Sequence, residues 1–341
     1  MVTNSYLKWL SSTASCWWND SAVLSDMDQA IENGATGVTT NPLLVKRSLF
    51  ASPDFWRPYL QTAKGLKDDE KTEELIRCVT VEIAKKFGSI HKATNGVQGY
   101  VCAQVNPNYQ GVADMMFEMG KRLAAWAVNI SVKLPATAAG LEVMEELSAL
   151  GITTVGTVSF TTPQAIEIAR RQQLGIERAK KAGRNPGAAF SVIMVGRLDD
   201  YLRDAAHDMR STVPEDFIKQ AGTACIKRAY SICRERGYVS KLMPAGMRGA
   251  YHAVALAGAD MSMSVAANIQ DMLQKETEHI KHIEEPVPKD VIDRLMTIPE
   301  FARSYEPDGM KPSEFLAFGT TQRTLTQFIE AGWLPIKEFE V

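Results

Sequence analysis

Short apolar segments alternate with longer amphipathic segments along most of this chain. Eight short segments are rich in apolar or β-branched residues and have the length of β-strands: residues 16–20, 37–41, 99–105, 129–134, 153–160, 188–195, 241–246 and 260–265. The longer segments repeat their apolar positions with a helical period: residues 23–32, 72–87, 109–127, 141–150, 163–182, 216–236, 250–257 and 266–282. This alternation predicts parallel βαβ units and an α/β fold.

The number of repeats selects among α/β folds. Eight strand–helix repeats fit a closed (β/α)8 barrel of the TIM type, whose usual length of about 250 residues is close to the span of residues 16–282. An open, doubly wound sheet is the alternative. No G-x-G-x-x-G motif follows the first strand, so the dinucleotide-binding form of that alternative has no support.

Two segments exceed a minimal barrel. Residues 50–69 form a long insertion after the second strand, and residues 284–341 begin with Glu-Glu-Pro-Val-Pro and are rich in apolar side chains. We therefore predict a catalytic barrel domain over residues 1–283. Residues 284–341 are predicted to be a helical C-terminal extension that buries its aromatic residues against the barrel.

The charge balance gives little reason to expect a polyanionic partner. Among 341 residues, 38 basic and 40 acidic side chains give a net charge of −2, and 45% of the residues are hydrophobic. The charge predicts no nucleic-acid or membrane-surface partner, and no apolar run reaches the ~18 residues of a membrane span. No signal-peptide pattern is present at the start of the chain. We expect a soluble, cytoplasmic protein.

Cysteine and histidine usage argues against structural disulfides and metal sites. The five cysteines include no C-x-x-C spacing, which is typical of reduced thiols in a cytosolic protein. The five histidines fall in predicted helices or loops and not at strand ends, which speaks against metal-dependent chemistry. We expect neither a metal nor a cofactor.

Candidate functional residues lie at the carboxyl ends of the predicted strands, where (β/α)8 barrels carry their active sites. These residues are Asp20, Asn41, Gln104, Lys133, Thr157, Met194, Gly246 and Ser264. Period-2 alternation is compatible with an inward side chain in each of the first six strands.

Lys133 is the most informative of them. It lies in a predicted buried strand, where its side chain would point to the same side as those of Asn129 and Ser131. A buried ammonium is costly unless it is paired with a carboxylate or gives up its proton. Lys133 is therefore either half of a structural ion pair or an amine adapted to covalent chemistry.

Several motifs resemble one family of aldolases. Gly37-Val-Thr-Thr-Asn-Pro42, Val132-Lys-Leu-Pro-Ala-Thr137 and Gly151-Ile-Thr-Thr-Val-Gly-Thr157 are similar to segments of the transaldolase family of class I aldolases. The similarity continues at Val195-Gly-Arg197 and, more loosely, at Pro244-Ala-Gly-Met-Arg248. It runs in order from about residue 20 to residue 266.

This resemblance implies a (β/α)8 barrel whose strand lysine forms a Schiff base with a ketose. Lys133 would be the nucleophile, and Asp20 the general acid and base for the C4 hydroxyl proton. Cleavage of C3–C4 would leave a dihydroxyacetone unit on the enzyme until an aldehyde accepts it. The implied biological setting is carbohydrate metabolism through the pentose phosphate pathway.

The resemblance also assigns the remaining site residues. Thr157 would position the catalytic water, Asn41 would hold substrate hydroxyls, and the substrate phosphate would lie against arginine forks. The substrate-binding candidates are Asn41, Thr39, Arg197, Arg248, Met194 and Gly246. Family analogy also suggests a homo-oligomer.

Some positions depart from the family pattern. Gln104 stands where transaldolases proper carry a glutamate, and resembles the fructose-6-phosphate aldolase branch in this respect. Met194 stands where that branch carries a tyrosine acid, and Gly246 replaces a phosphate-binding serine. We count Gln104 among the catalytic candidates, but proton transfer would fall to Asp20, to water held by Thr157, or to a residue such as Tyr100.

Three functions stay open at this point. The first is transfer of a dihydroxyacetone unit from a ketose or ketose phosphate to an aldehyde. The second is aldol cleavage without transfer, and the third is a catalytically silent barrel that binds sugar phosphates. Arg197 has a structural alternative, because it could pair with Asp199 or Asp200, and Asp20 could cap the following helix.

Overall fold

The computed structural model describes residues 5–340 and is built around eight parallel strands. The strands are β1 (Cys16–Asp20), β2 (Ala35–Thr39), β3 (Tyr100–Gln104), β4 (Ile130–Pro135), β5 (Thr154–Thr157), β6 (Ala189–Met194), β7 (Lys241–Ala245) and β8 (Ser262–Val265). They lie in the order β7-β6-β5-β4-β3-β2-β1-β8. A bridge between Leu242 and Met261 joins the two edges, so the predicted (β/α)8 barrel is confirmed.

Helices surround the barrel and continue beyond it. They are α1 (Tyr6–Ser11), α2 (Met27–Glu32), α3 (Pro42–Ala51), α4 (Pro53–Trp56), α5 (Asp68–Ala93), α6 (Ala113–Ala124), α7 (Ala138–Ala149), α8 (Thr162–Lys181), α9 (Val195–Asp208), α10 (Glu215–Ile218), α11 (Ala221–Glu235), α12 (Ala250–Leu256), α13 (Ala267–Leu273), α14 (Lys289–Leu295), α15 (Pro299–Tyr305), α16 (Pro312–Phe315), α17 (Gly319–Phe328) and α18 (Leu334–Lys337). A π-helical turn, Ile329–Trp333, connects α17 to α18.

Polar caps fix the turns where strands pass into helices at the carboxyl end of the barrel. The Asn41 side chain accepts from the Leu44 amide at the start of α3 at 3.1 Å, and the Thr137 hydroxyl accepts from the Gly140 amide at 3.1 Å. Pro42 occupies the first turn of α3, where a missing N–H costs nothing. These short, capped connections hold the strand ends in fixed positions.

Two apolar regions stabilise the barrel. The larger one lies mainly between the strands and the surrounding helices. The smaller one fills the barrel interior with Trp18, Tyr100, Cys102, Val155, Phe190, Val192, Met243 and Ala245. Gly37 makes room for Trp18, because a Cβ at that position would lie 2.6 Å from the indole. The interior is therefore packed below the strand ends, as expected for a barrel of this size.

The predicted helices differ from the structure in several places. Helices α1, α3, α4 and α9 lie outside the predicted helical segments. The helix predicted over residues 266–282 ends at Leu273, since the following residues are mostly polar and present no apolar face. The helix predicted over 216–236 is interrupted between α10 and α11.

The C-terminal residues pack against the barrel and its helices. Phe315, Phe318, Phe328 and Trp333 are all buried in the larger apolar region. The division of the chain at residue 283 stays a prediction. No helix within residues 5–340 is long and apolar enough to cross a membrane.

Candidate active site

A pocket of about 300 Å³ opens at the carboxyl ends of the strands, and we call it the upper pocket. Of the ten site residues predicted from the sequence, all but Gln104 line it: Asp20, Thr39, Asn41, Lys133, Thr157, Met194, Arg197, Gly246 and Arg248. The fold thus brings residues from six strand ends or the turns after them into one site.

Lys133 lies on β4 and is 7% exposed. Its Nζ donates to the Thr40 carbonyl oxygen at 3.3 Å. Within residues 5–340, no carboxylate oxygen lies within the 4.0 Å of an ion pair with this nitrogen. The structural ion pair considered from the sequence is therefore not formed, and the amine is free to meet a ligand in the pocket.

Asp20 ends β1 beside this amine. Its Oδ1 accepts a hydrogen bond from the Thr39 hydroxyl at 2.8 Å, and Thr39 in turn contacts the Ser264 hydroxyl at 2.7 Å. Burial raises the pKa of the Asp20 carboxyl above its ordinary value, while the positive charge of Lys133 and the bond from Thr39 offset part of the rise. Asp20 does not cap the following helical turn, which begins after Val23 without a side-chain cap.

Neutral polar groups complete the deep part of the pocket. Thr157 is 1% exposed at the end of β5 and lines the pocket. Asn41 uses its oxygen as the cap of α3, which leaves the amide nitrogen for a second contact. The observed cap role of Asn41 is therefore compatible with the substrate role that the resemblance implies.

Gln104 is placed differently. It pairs with Lys133 in the register of β3 and β4, is buried, and is not part of the pocket lining. Its Oε1 has no hydrogen-bond partner within residues 5–340. Tyr100 lies at the opposite end of β3 and donates its hydroxyl proton to the Gly96 carbonyl at 2.6 Å, so it is remote from the amine.

The two predicted phosphate arginines have different partners. Arg197 donates from Nη2 to Gln327 Oε1 at 2.6 Å and from Nη1 to Thr324 Oγ1 at 3.3 Å. Burial and the neighbouring charge of Arg248 lower the pKa of Arg197. The pairing with Asp200 that the sequence suggested for Arg197 is made instead by Arg248, from Nε at 2.8 Å and Nη2 at 2.5 Å.

A buried pair supports the turn that carries Arg248. Asp199 and His252 are fully buried, and Asp199 Oδ2 lies 2.8 Å from His252 Nε2. The Arg248 amide donates to His252 Nδ1 at 3.3 Å. Because an amide N–H can only donate, Nδ1 is the acceptor and the ring proton lies on Nε2, directed at Asp199. Asp199 also accepts from the Gly222 amide at 2.8 Å, which ties α9, α11 and the Arg248 turn together.

Several pocket residues were not predicted. They include Arg47 on α3, Asn268 on α13, and Gln327 and Phe328 at the end of α17. The position of Arg47 on the helix after the Thr-Thr-Asn-Pro motif was a usable signal. No sequence signal linked α17 to the strand ends.

A second cavity, of about 410 Å³, lies at the amino ends of the strands, and we call it the lower cavity. The rings of Trp18, Tyr100 and Phe190 contribute to its lining, and Lys241 at the start of β7 pairs with Asp260 at 2.8 Å. Within residues 5–340, no group of three or more His, Cys, Asp or Glu side chains is arranged to hold a metal ion.

Comparison with known families and proteins gives one consistent result. A family model described as Transaldolase/Fructose-6-phosphate aldolase matches residues 17–318. A transaldolase of Renibacterium salmoninarum is 27% identical over 211 residues, which are 60% of this chain and 56% of that protein. Transaldolase 1 of Streptomyces avermitilis is 26% identical over 258 residues, covering 73% of this chain and 66% of that protein.

A probable transaldolase of Dehalococcoides mccartyi is 27% identical over 234 residues, covering 68% of this chain and 77% of that protein. The chain spans only 55% to 66% of the length of the first four relatives that it matches.

Proposed function

The chain belongs to the transaldolase/fructose-6-phosphate aldolase family, and from this membership we propose that it transfers a dihydroxyacetone unit from a ketose, or its phosphate, to an aldehyde through a Schiff base at Lys133. One observation carries the proposal. Lys133 Nζ is buried at the upper pocket, beside Asp20 and without an ion-pair partner within residues 5–340. A desolvated, unpaired amine is the state from which a lysine attacks a carbonyl.

The reaction begins at the ketose carbonyl. The unprotonated Lys133 amine attacks C2 and a carbinolamine forms. Loss of water, with one proton taken up from solvent and returned at the final hydrolysis, gives the protonated Schiff base. The Asp20 carboxylate takes the proton of the C4 hydroxyl, the C3–C4 bond breaks, and its electron pair moves into the iminium to form an enamine. An aldehyde leaves, and the three-carbon unit stays on Lys133.

Transfer completes the cycle. The enamine carbon attacks the carbonyl of the acceptor aldehyde, and protonated Asp20 returns its proton to the new hydroxyl. Water held near Thr157 then hydrolyses the Schiff base and frees Lys133. The raised pKa of Asp20 suits both proton transfers, because an acid and base catalyst is most effective with a pKa close to the working pH.

Arg197 and Arg248 bind the phosphate end of the substrate in this proposal. Both line the upper pocket, and Arg47 adds a third guanidinium from α3. Guanidinium groups suit this role because their planar N–H forks match phosphate oxygens.

Trapping with borohydride tests the proposal. Incubation with fructose 6-phosphate and reduction should add the mass of the reduced three-carbon unit, or of the whole ketose, to the wild type and not to Lys133→Ala. Lys241→Ala is the matched control, since it removes a strand lysine from the opposite end of the barrel. If the added mass maps to another lysine, the proposal fails.

Aldol cleavage without transfer is the second candidate, and Gln104 and Met194 favour it. In that reaction the enamine takes a proton at its nucleophilic carbon and hydrolysis releases dihydroxyacetone. Release of glyceraldehyde 3-phosphate that requires an acceptor aldehyde indicates transfer, whereas release at the same rate without acceptor indicates cleavage alone.

A catalytically silent sugar-phosphate-binding barrel is the third candidate. It is motivated by the buried Gln104 amide, which cannot act as an acid or base. Ligand-dependent thermal stabilisation with no product after long incubation would support it, and measurable turnover would exclude it.

A further inference from the structure

The C-terminal segment reaches the mouth of the upper pocket. Gln327 and Phe328, the last two residues of α17, both line it. The chain then follows the π-helical turn, where a Cβ at Gly332 would lie 2.8 Å from the Leu43 amide nitrogen. This close approach holds the turn after α17 against α3, the helix that Asn41 caps.

Further contacts anchor this segment to α5. Trp333 is buried, and its Nε1 donates to Asp69 Oδ1 at 2.9 Å. Lys337 pairs with Asp68 at 2.8 Å. The segment that follows Gln327 is therefore fixed to α3 and α5, and Gln327 itself is exposed at the mouth of the pocket.

The contact with Arg197 fixes the orientation of the Gln327 amide. A guanidinium carries five N–H donors and no acceptor, so the atom 2.6 Å from Arg197 Nη2 must be the amide oxygen. The two N–H groups of Nε2 then point away from Arg197. Within residues 5–340, Nε2 forms no hydrogen bond to a protein acceptor, and the side chain is exposed.

Three arginines and the neutral amides of Asn41, Asn268 and Gln327 line the upper pocket. Arg248 already donates hydrogen bonds from Nε and Nη2 to Asp200 and from Nη1 to the Gly246 carbonyl. Gly246 itself has no side chain to contribute. The Gln327 amide is thus the neutral side-chain donor beside Arg197 that retains unused N–H groups.

We propose that Gln327 binds the anionic end of the substrate, orienting Arg197 with its oxygen and donating to the phosphate from Nε2. The C-terminal segment is then part of the substrate site and selects for phosphorylated sugars. This inference rests on the phosphate role of the upper pocket in the proposed function. The simpler alternative is that Gln327 only fastens α17 to Arg197.

Two substitutions separate these roles. Gln327→Glu keeps an acceptor for Arg197 but replaces the free N–H groups with a negative charge, so a fastening role survives and an anion-binding role does not. Gln327→Leu removes both functions at similar size. Gln322→Glu is the matched control, because it puts the same charge on α17 at a position outside the pocket lining.

Binding of inorganic phosphate by calorimetry, in a Lys133→Ala background, makes the test independent of catalysis. We expect Gln327→Glu to weaken phosphate binding at least about tenfold, and Gln327→Leu about fivefold, on the scale of lost hydrogen bonds to a charged group. Gln322→Glu should match its parent, and thermal midpoints will show whether each variant is folded.

The Lys133-containing enzyme gives the second readout. Gln327→Glu should raise KM for fructose 6-phosphate about tenfold and leave KM for unphosphorylated fructose unchanged. Equal phosphate affinity in the parent and Gln327→Glu, or no phosphate binding by either, overturns the inference. If the wild type is inactive but binds phosphate more tightly than Gln327→Glu does, the proposed transfer reaction is wrong and the inference about Gln327 is supported.

Discussion

The two ends of the barrel both open into cavities, yet they differ in chemistry. The lower cavity is the larger, at about 410 Å³ against about 300 Å³ for the upper pocket. Each end also carries a lysine on a strand. Volume and residue type alone therefore do not locate the site.

What separates the two ends is the pairing of charge. Lys241 at the lower end pairs with Asp260 at 2.8 Å, and although burial acts to lower the pKa of Lys241, the bond to Asp260 leaves it raised. Lys133 at the upper end bonds to a backbone carbonyl, and three arginines line the same pocket. A paired lysine is a stable cation, whereas an unpaired buried lysine can become a nucleophile.

The sharpest test of this comparison replaces each of the two lysines by alanine in turn. Lys133→Ala should reduce turnover by at least about 10⁴-fold, as expected when a covalent nucleophile is lost. Lys241→Ala should keep near wild-type turnover, because the salt bridge of Lys241 lies at the opposite end of the barrel from the upper pocket. Steady-state rates with fructose 6-phosphate and erythrose 4-phosphate measure both, and similar losses in the two variants would contradict the assignment.

Asp20→Asn should lower turnover by at least about a hundredfold, the lower end of the range for a lost general acid or base. The amide keeps an acceptor for the Thr39 hydroxyl but cannot take the C4 hydroxyl proton. Schiff-base trapping should persist in this variant, since Lys133 is intact. Loss of trapping together with turnover would assign Asp20 to carbonyl addition and not to bond cleavage.

The same variant should be more stable than the wild type at neutral pH. Because the folded-state pKa of Asp20 is raised, the folded protein prefers the protonated carboxyl, and stability falls as pH rises through that pKa. Asn removes this cost, and its advantage should vanish below the ordinary Asp pKa of about 3.9. Urea unfolding from pH 3 to pH 8 measures the difference, and a constant difference would contradict the assignment.

The arginines of the upper pocket should differ in their effects. Arg197→Ala should raise KM for a phosphorylated donor about 10- to 100-fold, because hydrogen bonds to charged groups contribute about 1.5–3 kcal/mol each. Arg248→Ala should raise it only about fivefold, since Asp200 already holds two of its nitrogens. Unphosphorylated donors should be affected much less, and equal losses on both substrate types would make these arginines structural.

The smallest effect is expected at the lower cavity. Ala188→Leu adds volume there and should leave KM and turnover within about twofold of the wild type, as is usual for changes of well under 1 kcal/mol. Ala245→Leu adds the same atoms at the upper pocket and should raise KM about tenfold by occupying substrate space. Thermal midpoints of both variants control for overpacking. A ligand-dependent effect of Ala188→Leu would mean that the two cavities communicate.

The sequence predicted the barrel well because its strands repeat a local pattern. All eight predicted strands overlap observed strands, and seven of the eight residues expected at their ends, all but Gln104, line one pocket. The prediction succeeds because both of its signals are local in the sequence. These signals are the alternation of side chains along a strand and the location of functional residues at the carboxyl end of each strand. The strand and helix boundaries differ from the predicted ones where a capping side chain determines them. Asn41, for example, was predicted to end the second strand but follows β2 and caps α3.

The partners of the site residues could not be predicted in the same way. Arg197 contacts Gln327, 130 positions later, and no periodicity links α9 to α17. Asp199 and His252 form a buried pair because α9 and α12 both pack against α11, and the sequence shows only two separate polar residues. Such contacts are set by tertiary packing and not by local pattern.

The location of Gln327 and Phe328 has a consequence for biosynthesis. A ribosome makes all eight strands before it reaches α17, so a nascent chain can close its barrel while the rim of the upper pocket is still untranslated. We expect such an intermediate to possess the Lys133 amine without the residues that border it from the C-terminal side. Completion of the pocket is then a late maturation step, separated in time from formation of the barrel.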